Sequence, residues 1–248
     1  HHVAELVNLT LSPQQPYSGG SAFAHKAGLH TSAISRRPDA YEHIDPEVIG
    51  NGTRFVVSEM AGRSTLELKA NDLGIDLDGK VLGDVVEVLK RLEYEGYHFE
   101  VADASLELLM RGASGWTQDF FEVESFKVDM NHVGSGSRAW NEISVEVDTR
   151  AVVDLFVGGK KSVGVGDGNG PVNAIDTALR SVLTESYPEL KAISLVDYKV
   201  RVLDTEKGTG AVTRVLLDST NGITNWTTIG VSENIIEASW QALIDSLV

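Results

Sequence analysis

No cysteine occurs in the 248 residues. That excludes disulfides and thiolate metal sites, and it fits a reducing cytoplasm. Basic residues are scarce: 21 Lys and Arg stand against 36 Asp and Glu, a formal charge of −15. Such a surface repels nucleic acid and anionic membrane, and the short pairs Arg36-Arg37 and Lys160-Lys161 do not offset it. Long apolar runs are missing as well. None approaches the roughly 18 residues a membrane span requires, and the opening HHVAELVNL lacks the basic segment and apolar core of a signal peptide. The expectation is a cytoplasmic chain that binds neither nucleic acid nor membrane. Several catalytic signatures are absent too. There is no Gly-x-Ser-x-Gly and no Gly-Lys-Ser/Thr phosphate loop.

What is present changes character along the chain. The first sixty residues are dense in turn formers (Pro13, Pro16, Gly19, Gly20, Gly28, Pro38, Pro46, Gly50 and Gly52) and short on periodicity. A segment that irregular is expected to lie over something else rather than own a core. Helical signals follow. Ser64-Thr65-Leu66-Glu67 has the capping-box pattern, with Leu66, Ala70 and Leu73 on one face and Gly74 as a stop. Val81, Leu82, Val85, Val86, Leu89 and Leu92 hold the 3.6-residue period up to Gly96, and Asp103 is placed to cap a third helix through Leu106, Leu109 and Met110.

After Gly115 the period becomes two. Phe126, Val128 and Met130 alternate with polar residues, as do Ile143, Val145 and Val147, and a third run covers about Leu155 to Val165. A helix starting at Pro171 comes next. The unit then recurs: Phe126-Lys127-Val128 is echoed by Tyr198-Lys199-Val200, and Val147-Asp148 by Leu217-Asp218. Gly166, Ala174, Ala178 and Leu179 match Gly230, Ala238, Ala242 and Leu243 at one constant offset. The expected fold is α+β, a small helical subdomain followed by a duplicated β-β-β-α domain. The expected boundaries are 1–63 for a linker arm, 64–117 for the helices and 118–248 for the duplicated part.

Candidate chemistry is sparse. His25 and His30 are five residues apart, one more than a helical metal pair needs, with no carboxylate at ligand spacing. By spacing alone they read as hydrogen-bonded loop or helix-end residues, and no metal site is expected in this chain. The run from Gly164 to Pro171 has glycine at every second position. Such a loop admits positive φ and close approach of a ligand, and it leads into a helix N-terminus where an anion is favoured. A tight strand-to-helix turn would look the same. Its counterpart, Gly230-Val231-Ser232-Glu233-Asn234, needs fewer glycines, which suggests that the extra ones serve a small ligand. Glu59, Arg63 and Ser64 could form a polar site or only cap the helix that follows.

Three stretches together resemble the acetyl-CoA-dependent 2-isopropylmalate and (R)-citramalate synthases. They are Ala24-His25-Lys26-Ala27-Gly28-Leu29-His30, Tyr41-Glu42-His43-Ile44-Asp45-Pro46-Glu47-Val48-Ile49-Gly50, and Gly166-Asp167-Gly168-Asn169-Gly170-Pro171-Val172-Asn173-Ala174. The closing Val231–Leu243 stretch is more similar to the citramalate branch. The resemblance implies a catalytic (β/α)8 barrel that is absent from this chain. A divalent metal, acetyl-CoA and a 2-keto acid would bind there, and no cofactor is implied for the chain itself. It further implies that the linker reaches the barrel of a partner subunit in a homodimer, contributing His30 and Tyr41, with His25 a secondary candidate. Arg63 and Ser64 match family positions near the same site. Finally, it implies that the duplicated domain binds a branched-chain amino acid, isoleucine in the citramalate branch and leucine in the other. Gly166, Asp167, Gly168, Asn169, Gly170 and Asn173 would be on the effector loop. A free-standing amino-acid sensor and a purely structural dimerisation domain are the competing readings.

Overall fold

The computed structural model describes residues 12, 14–19, 21–25, 28–56, 63–133 and 146–248. Glu59 and the expected strand residues Ile143 and Val145 lie outside them. The chain is mixed α and β, with three small sheets, and no barrel is formed by the described residues. It divides into two compact units, residues 1–100 with 109–115, and residues 101–108 with 116–248.

In the first unit, two short strands, β1 (Ala24–His25) and β2 (Arg54–Phe55), pair in parallel. Between them lie helix α1 (Gly28–Arg36) and two 3-10 turns, Pro38–Ala40 and Pro46–Ile49. Helices α2 (Arg63–Asp72) and α3 (Gly79–Glu95) follow. Ser64 sits inside α2 rather than at its cap, because the helix already begins at Arg63. Asp78 caps α3 by accepting from the N–H groups of Lys80 and Val81, both at 2.8 Å. Those two bonds hold its carboxyl below the usual range. Gly96 ends the helix at φ +117, a conformation L side chains resist. Leu82, Val85 and Leu89 are buried along one face, as the period requires.

The second unit contains two three-stranded antiparallel sheets. β3 (Phe121–Val133), β4 (Glu146–Val157) and β5 (Lys160–Gly168) form the first and are followed by helix α5 (Pro171–Ser186). β6 (Ser194–Val202), β7 (Thr213–Thr220) and β8 (Asn225–Ser232) form the other, followed by α6 (Ile235–Leu247). Residues 103–108 of helix α4 (Asp103–Ala113) belong to this unit and the end of that helix to the first. The β4–β5 turn is Gly158-Gly159, both at positive φ, as a two-residue hairpin loop of matching twist requires. That placement corrects the sequence expectation: Leu155 lies in β4, not in the third strand. The echo between strands is also shifted. Phe126 opposes Val153 and Tyr198 opposes Leu217, so Leu217-Asp218 corresponds to Val153-Asp154 rather than to Val147-Asp148. Asp148 misled because hydrophobic alternation alone cannot fix register.

The core of this unit lies between sheets and helices. Ala151, Val153 and Leu155 face Ala174, Ile175, Ala178, Leu179 and Leu183, while Val215 and Leu217 face Ala238, Ala242 and Leu243. Each large side chain so buried stabilises the fold by about 1.5–3 kcal/mol. Phe126 and Trp240 stack beside this core, ring centroids 4.3 Å apart.

A polar relay crosses the apolar interior. Ser105 on α4 donates to the Asp245 carboxylate on α6 at 2.5 Å and accepts from the Ile229 N–H on β8 at 3.1 Å. Asp103 does not cap α4 from outside; it is the first residue of that helix and accepts from Thr227 N–H. Burial pushes the Asp245 carboxyl up to about 6 from 3.8, only partly opposed by the Ser105 bond. Between roughly pH 4 and 6, then, the folded chain retains a proton the unfolded chain has lost, and stability falls as pH rises through that window. Above it the buried charge costs on the order of 3 kcal/mol. Asp245→Asn is therefore expected to raise the urea midpoint at neutral pH and to lose that advantage below about pH 4. The same gain at both pH values would show that the carboxylate charge is not its source.

Candidate functional site

Two places concentrate the sequence candidates, one in each unit. In the first unit, the Phe23–His25 backbone is stitched to β2. Arg54 N–H donates to Phe23 C=O and Val56 N–H to His25 C=O, each at 3.0 Å. His30 occupies the third position of α1 and is exposed. Tyr41 follows the 3-10 turn Pro38–Ala40 and is 51% exposed. Their rings stack with centroids 4.1 Å apart and planes 30° from parallel. Two motifs eleven residues apart are thus brought together at one exposed point.

The rest of the second motif builds the turn that presents Tyr41. Asp45 accepts from Glu47 N–H at 3.0 Å, and Pro46 begins the next 3-10 turn. His43 is within 3.3 Å of the Tyr17 hydroxyl, and Asn51 donates to the carbonyls of Tyr17 and Gly19. His25 is not at the exposed pair. Its Nε2 lies 3.1 Å from Oε1 of Glu42, a carboxylate only 7% exposed, which also accepts from the Thr53 hydroxyl at 2.7 Å. Glu42 was not singled out from the sequence. A carboxylate within a turn-rich motif has no periodicity by which to show that it is buried. Arg63 lies against Gly79 at the start of α3, not at the histidines. Among the described residues no group of three or more His, Cys, Asp or Glu side chains could hold a metal ion.

The second place is where β5 runs into α5. Side chains at Gly164, Gly166 and Gly168 would strike the helix backbone: an added Cβ would lie 2.2 Å from Ala178 O, 2.3 Å from Ala178 N and 2.5 Å from Ala174 N respectively. The alternating glycines therefore seat α5 directly on the strand, and neither they nor Gly170 has positive φ. This corrects the argument from their number. Thr228 stands in β8 opposite Leu217, as Gly164 stands opposite Val153, and its hydroxyl donates to Ala242 C=O at 2.7 Å. The second helix is seated through a hydroxyl where the first needs bare backbone. Asp167 forms a two-bond pair with Arg150 at 2.6 and 2.9 Å, and that pair lowers its carboxyl pKa.

Beyond these residues the chain opens onto a cavity of about 340 Å³ lined by Asn169, Gly170, Pro171, Val172, Asn173, Asp176, Leu195, Tyr198 and Leu243. Asn169, Gly170 and Asn173 thus reach it, whereas Gly166, Asp167 and Gly168 do not line it. The wall is built from the start of α5, which has no side-chain cap, and from apolar side chains of β6 and α6. Asn173 accepts from Asn169 N–H at 3.2 Å, Arg180 holds Asp176 at 2.8 Å, and the Tyr198 hydroxyl meets Ser239 Oγ at 2.7 Å. A helix N-terminus beside an apolar floor suits a small molecule with a carboxylate and a hydrocarbon side chain. Leu195, Tyr198 and Leu243 could not be found from the sequence, because they come from the other half of the unit.

Residues 100–248 match the family model described as the LeuA allosteric (dimerisation) domain. The chain belongs to that family. Residues 18–96 match a second model, the homocitrate synthase post-HMGL domain-like family. Among curated relatives the chain is 52% identical over 249 residues to an (R)-citramalate synthase of Streptomyces coelicolor, covering 99% of this chain and 45% of that protein. It is 46% identical to the (R)-citramalate synthases of Aquifex aeolicus and Geobacter sulfurreducens, again over 99% of this chain and 46% and 45% of theirs. The chain spans about half the length of these relatives. The resemblance carried by the three motifs is borne out, with the citramalate branch favoured. No helix among the described residues is long and apolar enough to cross a membrane.

Proposed function

We propose that this chain is the regulatory and active-site-completing portion of a cytoplasmic, homodimeric acyltransferase that condenses acetyl-CoA with pyruvate to give (R)-citramalate. The observation that carries the proposal is the exposed stack of His30 on Tyr41, an imidazole and a phenol held together at the surface of the arm. Joining an acetyl group to a keto acid needs a proton removed from the acetyl methyl, a developing oxyanion stabilised and a thioester hydrolysed. The imidazole transfers protons near neutral pH, and the phenol donates to an oxyanion or orders water. Both would act in the barrel of a partner subunit. The divalent metal belongs to that barrel, and no step on this chain runs through it.

Residues 1–63 then serve as the arm, 64–117 as the helical subdomain and 118–248 as the sensor. We read the sensor as an internal duplication of β-β-β-α. In support, β3 and β6 carry irregularities at matching places, Val123/Ser125 and Leu195/Asp197, and Gly166 opposes Ala151 as Gly230 opposes Val215. The effector is an amino acid with a branched side chain, isoleucine rather than leucine. It would be held in the cavity beside Asn169, Gly170 and Asn173 with its carboxylate toward the start of α5. Gly166, Asp167 and Gly168 support that loop from behind. Shifting the sensor between two states would alter how the arm presents His30 and Tyr41.

Calorimetric titration of the folded chain tests this reading. Heat on adding isoleucine and none on adding leucine is expected, with the signal lost in Leu195→Arg, which sets a long charged side chain on the cavity wall at an exposed position outside the buried core. Binding of leucine alone would move the protein to the isopropylmalate branch. Binding of neither would leave a purely structural dimerisation domain.

A further inference from the structure

Glu42 is a buried carboxylate beside the residue proposed to carry chemistry, and its partners are more specific than packing would require. Its Oε1 faces both His25 Nε2 on β1 and the Thr53 hydroxyl just before β2. The His25 side chain is only 12% exposed and that of Glu42 4%, so neither group can turn to water instead. A carboxyl group that deep needs hydrogen-bond partners, and losing one leaves the others buried and unpaired. The backbone N–H groups of Tyr41 and Glu42 both donate to Pro38 C=O, at 3.4 and 3.2 Å. The two side chains therefore diverge from one short turn: the phenol goes outward to His30 and the carboxylate inward to His25 and Thr53. One oxygen ties the Tyr41 turn to β1 and to the residue that leads into β2.

We infer that Glu42 is a positioning residue for Tyr41, holding the phenol against His30 through the His25–Glu42–Thr53 tie. The inference rests on the proposed role of the His30–Tyr41 pair. His25 is then a member of the tie, not a group that reaches substrate. Its hydrogen bond through Nε2 to the Glu42 carboxyl fixes the ring in one orientation. Without the tie the turn keeps its internal bonds, from Tyr41 and Glu42 N–H to Pro38 C=O and from Ala40 N–H to Arg37 C=O, but loses its anchor to the rest of the unit through Glu42, and the phenol is no longer held at stacking distance. Misplacement of a reacting group by about 1 Å can cost up to about 100-fold in rate.

The test combines a spectroscopic and a kinetic arm. In the chain labelled at histidine carbons, the His30 ring signals feel the Tyr41 ring, and Tyr41→Leu identifies that shift. Glu42→Ala is expected to remove most of the same shift, and Thr53→Val, which keeps the carboxylate and deletes one donor, to remove part of it. Thr53→Val also serves if the alanine variant fails to fold. In the full-length enzyme, Glu42→Ala should lower kcat by about 10- to 100-fold with the KM for the keto acid within about twofold. Added to Tyr41→Phe it should lower kcat little further, since it acts through that phenol. A merely structural role would give losses that multiply. If Tyr41→Leu leaves the His30 signals in place, the paired-ring reading fails first. If Tyr41→Leu moves them and folded Glu42 and Thr53 variants do not, the positioning role alone is overturned.

Discussion

In the full-length enzyme, His30→Ala is expected to lower kcat by about two to four orders of magnitude, the range that loss of a positioned proton-transfer group produces. At about 1.4 kcal/mol per tenfold, that is roughly 3–6 kcal/mol of transition-state stabilisation. Stability should hardly change, because His30 is exposed and its ring contact is with Tyr41, itself half exposed. Tyr41→Phe keeps the stacked ring and removes only the hydroxyl, so its loss in kcat should be smaller, with the His30 ring still in place. Effector binding by this chain should be unaffected in both. The measurement is steady-state kinetics beside thermal unfolding and calorimetry on the same variants. A His30→Ala enzyme within threefold of wild type would remove the pair from the reaction and leave the arm a purely structural element.

Gly230→Ala is expected to be the most damaging single methyl that can be added to the second half of the sensor. Its Cβ would lie 1.9 Å from Ala238 O and 2.9 Å from the Ala238 carbonyl carbon. Both are backbone atoms of α6, so no side-chain rotation relieves the clash, and the helix must lift from β8. Lifting it would open the contact between Val215, Leu217, Ala242 and Leu243. The cost should reach or exceed the upper end of the roughly 1–3 kcal/mol usual for over-packing. Gly166→Ala should behave alike, with contacts of 2.3 Å to Ala178 N and 2.4 Å to Ala174 O. Gly170→Ala is the control: nothing lies within 4 Å of its added methyl, and φ is extended at −178°. Denaturant midpoints for the three variants decide the matter. Equal midpoints for Gly230→Ala and Gly170→Ala would mean that the strand–helix contact is looser than described.

The helices and strands were legible where burial is periodic. α3 obeys the expected face because Leu82, Val85 and Leu89 recur at helical spacing and Gly96 closes the last turn. Register was less legible. The strand containing Val147 continues without interruption to Val157, so an aspartate at 148 carried no structural signal, and the turn lay ten residues later at Gly158-Gly159. The alternating glycines were visible but ambiguous, since close approach of a helix and close approach of a ligand leave the same residue type. Only the position of α5 separates the two. At the candidate catalytic site the pairing of His30 with Tyr41 followed from the family resemblance, not from spacing. Glu42 was hidden because adjacent residues in a turn can point to opposite sides with no pattern to announce it.

The stacked rings of Phe126 and Trp240 bear on how many effector molecules one chain can hold. Under the proposed duplication, Trp240 takes the place in α6 that Asp176 takes in α5, at the same offset that relates Gly166 to Gly230, and Phe126 answers to Tyr198. The cavity that opens between Asp176 and Tyr198 thus has a mirror location closed by an indole. A molecule built from two like halves would then saturate at one equivalent rather than two, with one half serving as receptor and the other as a permanently occupied counterpart.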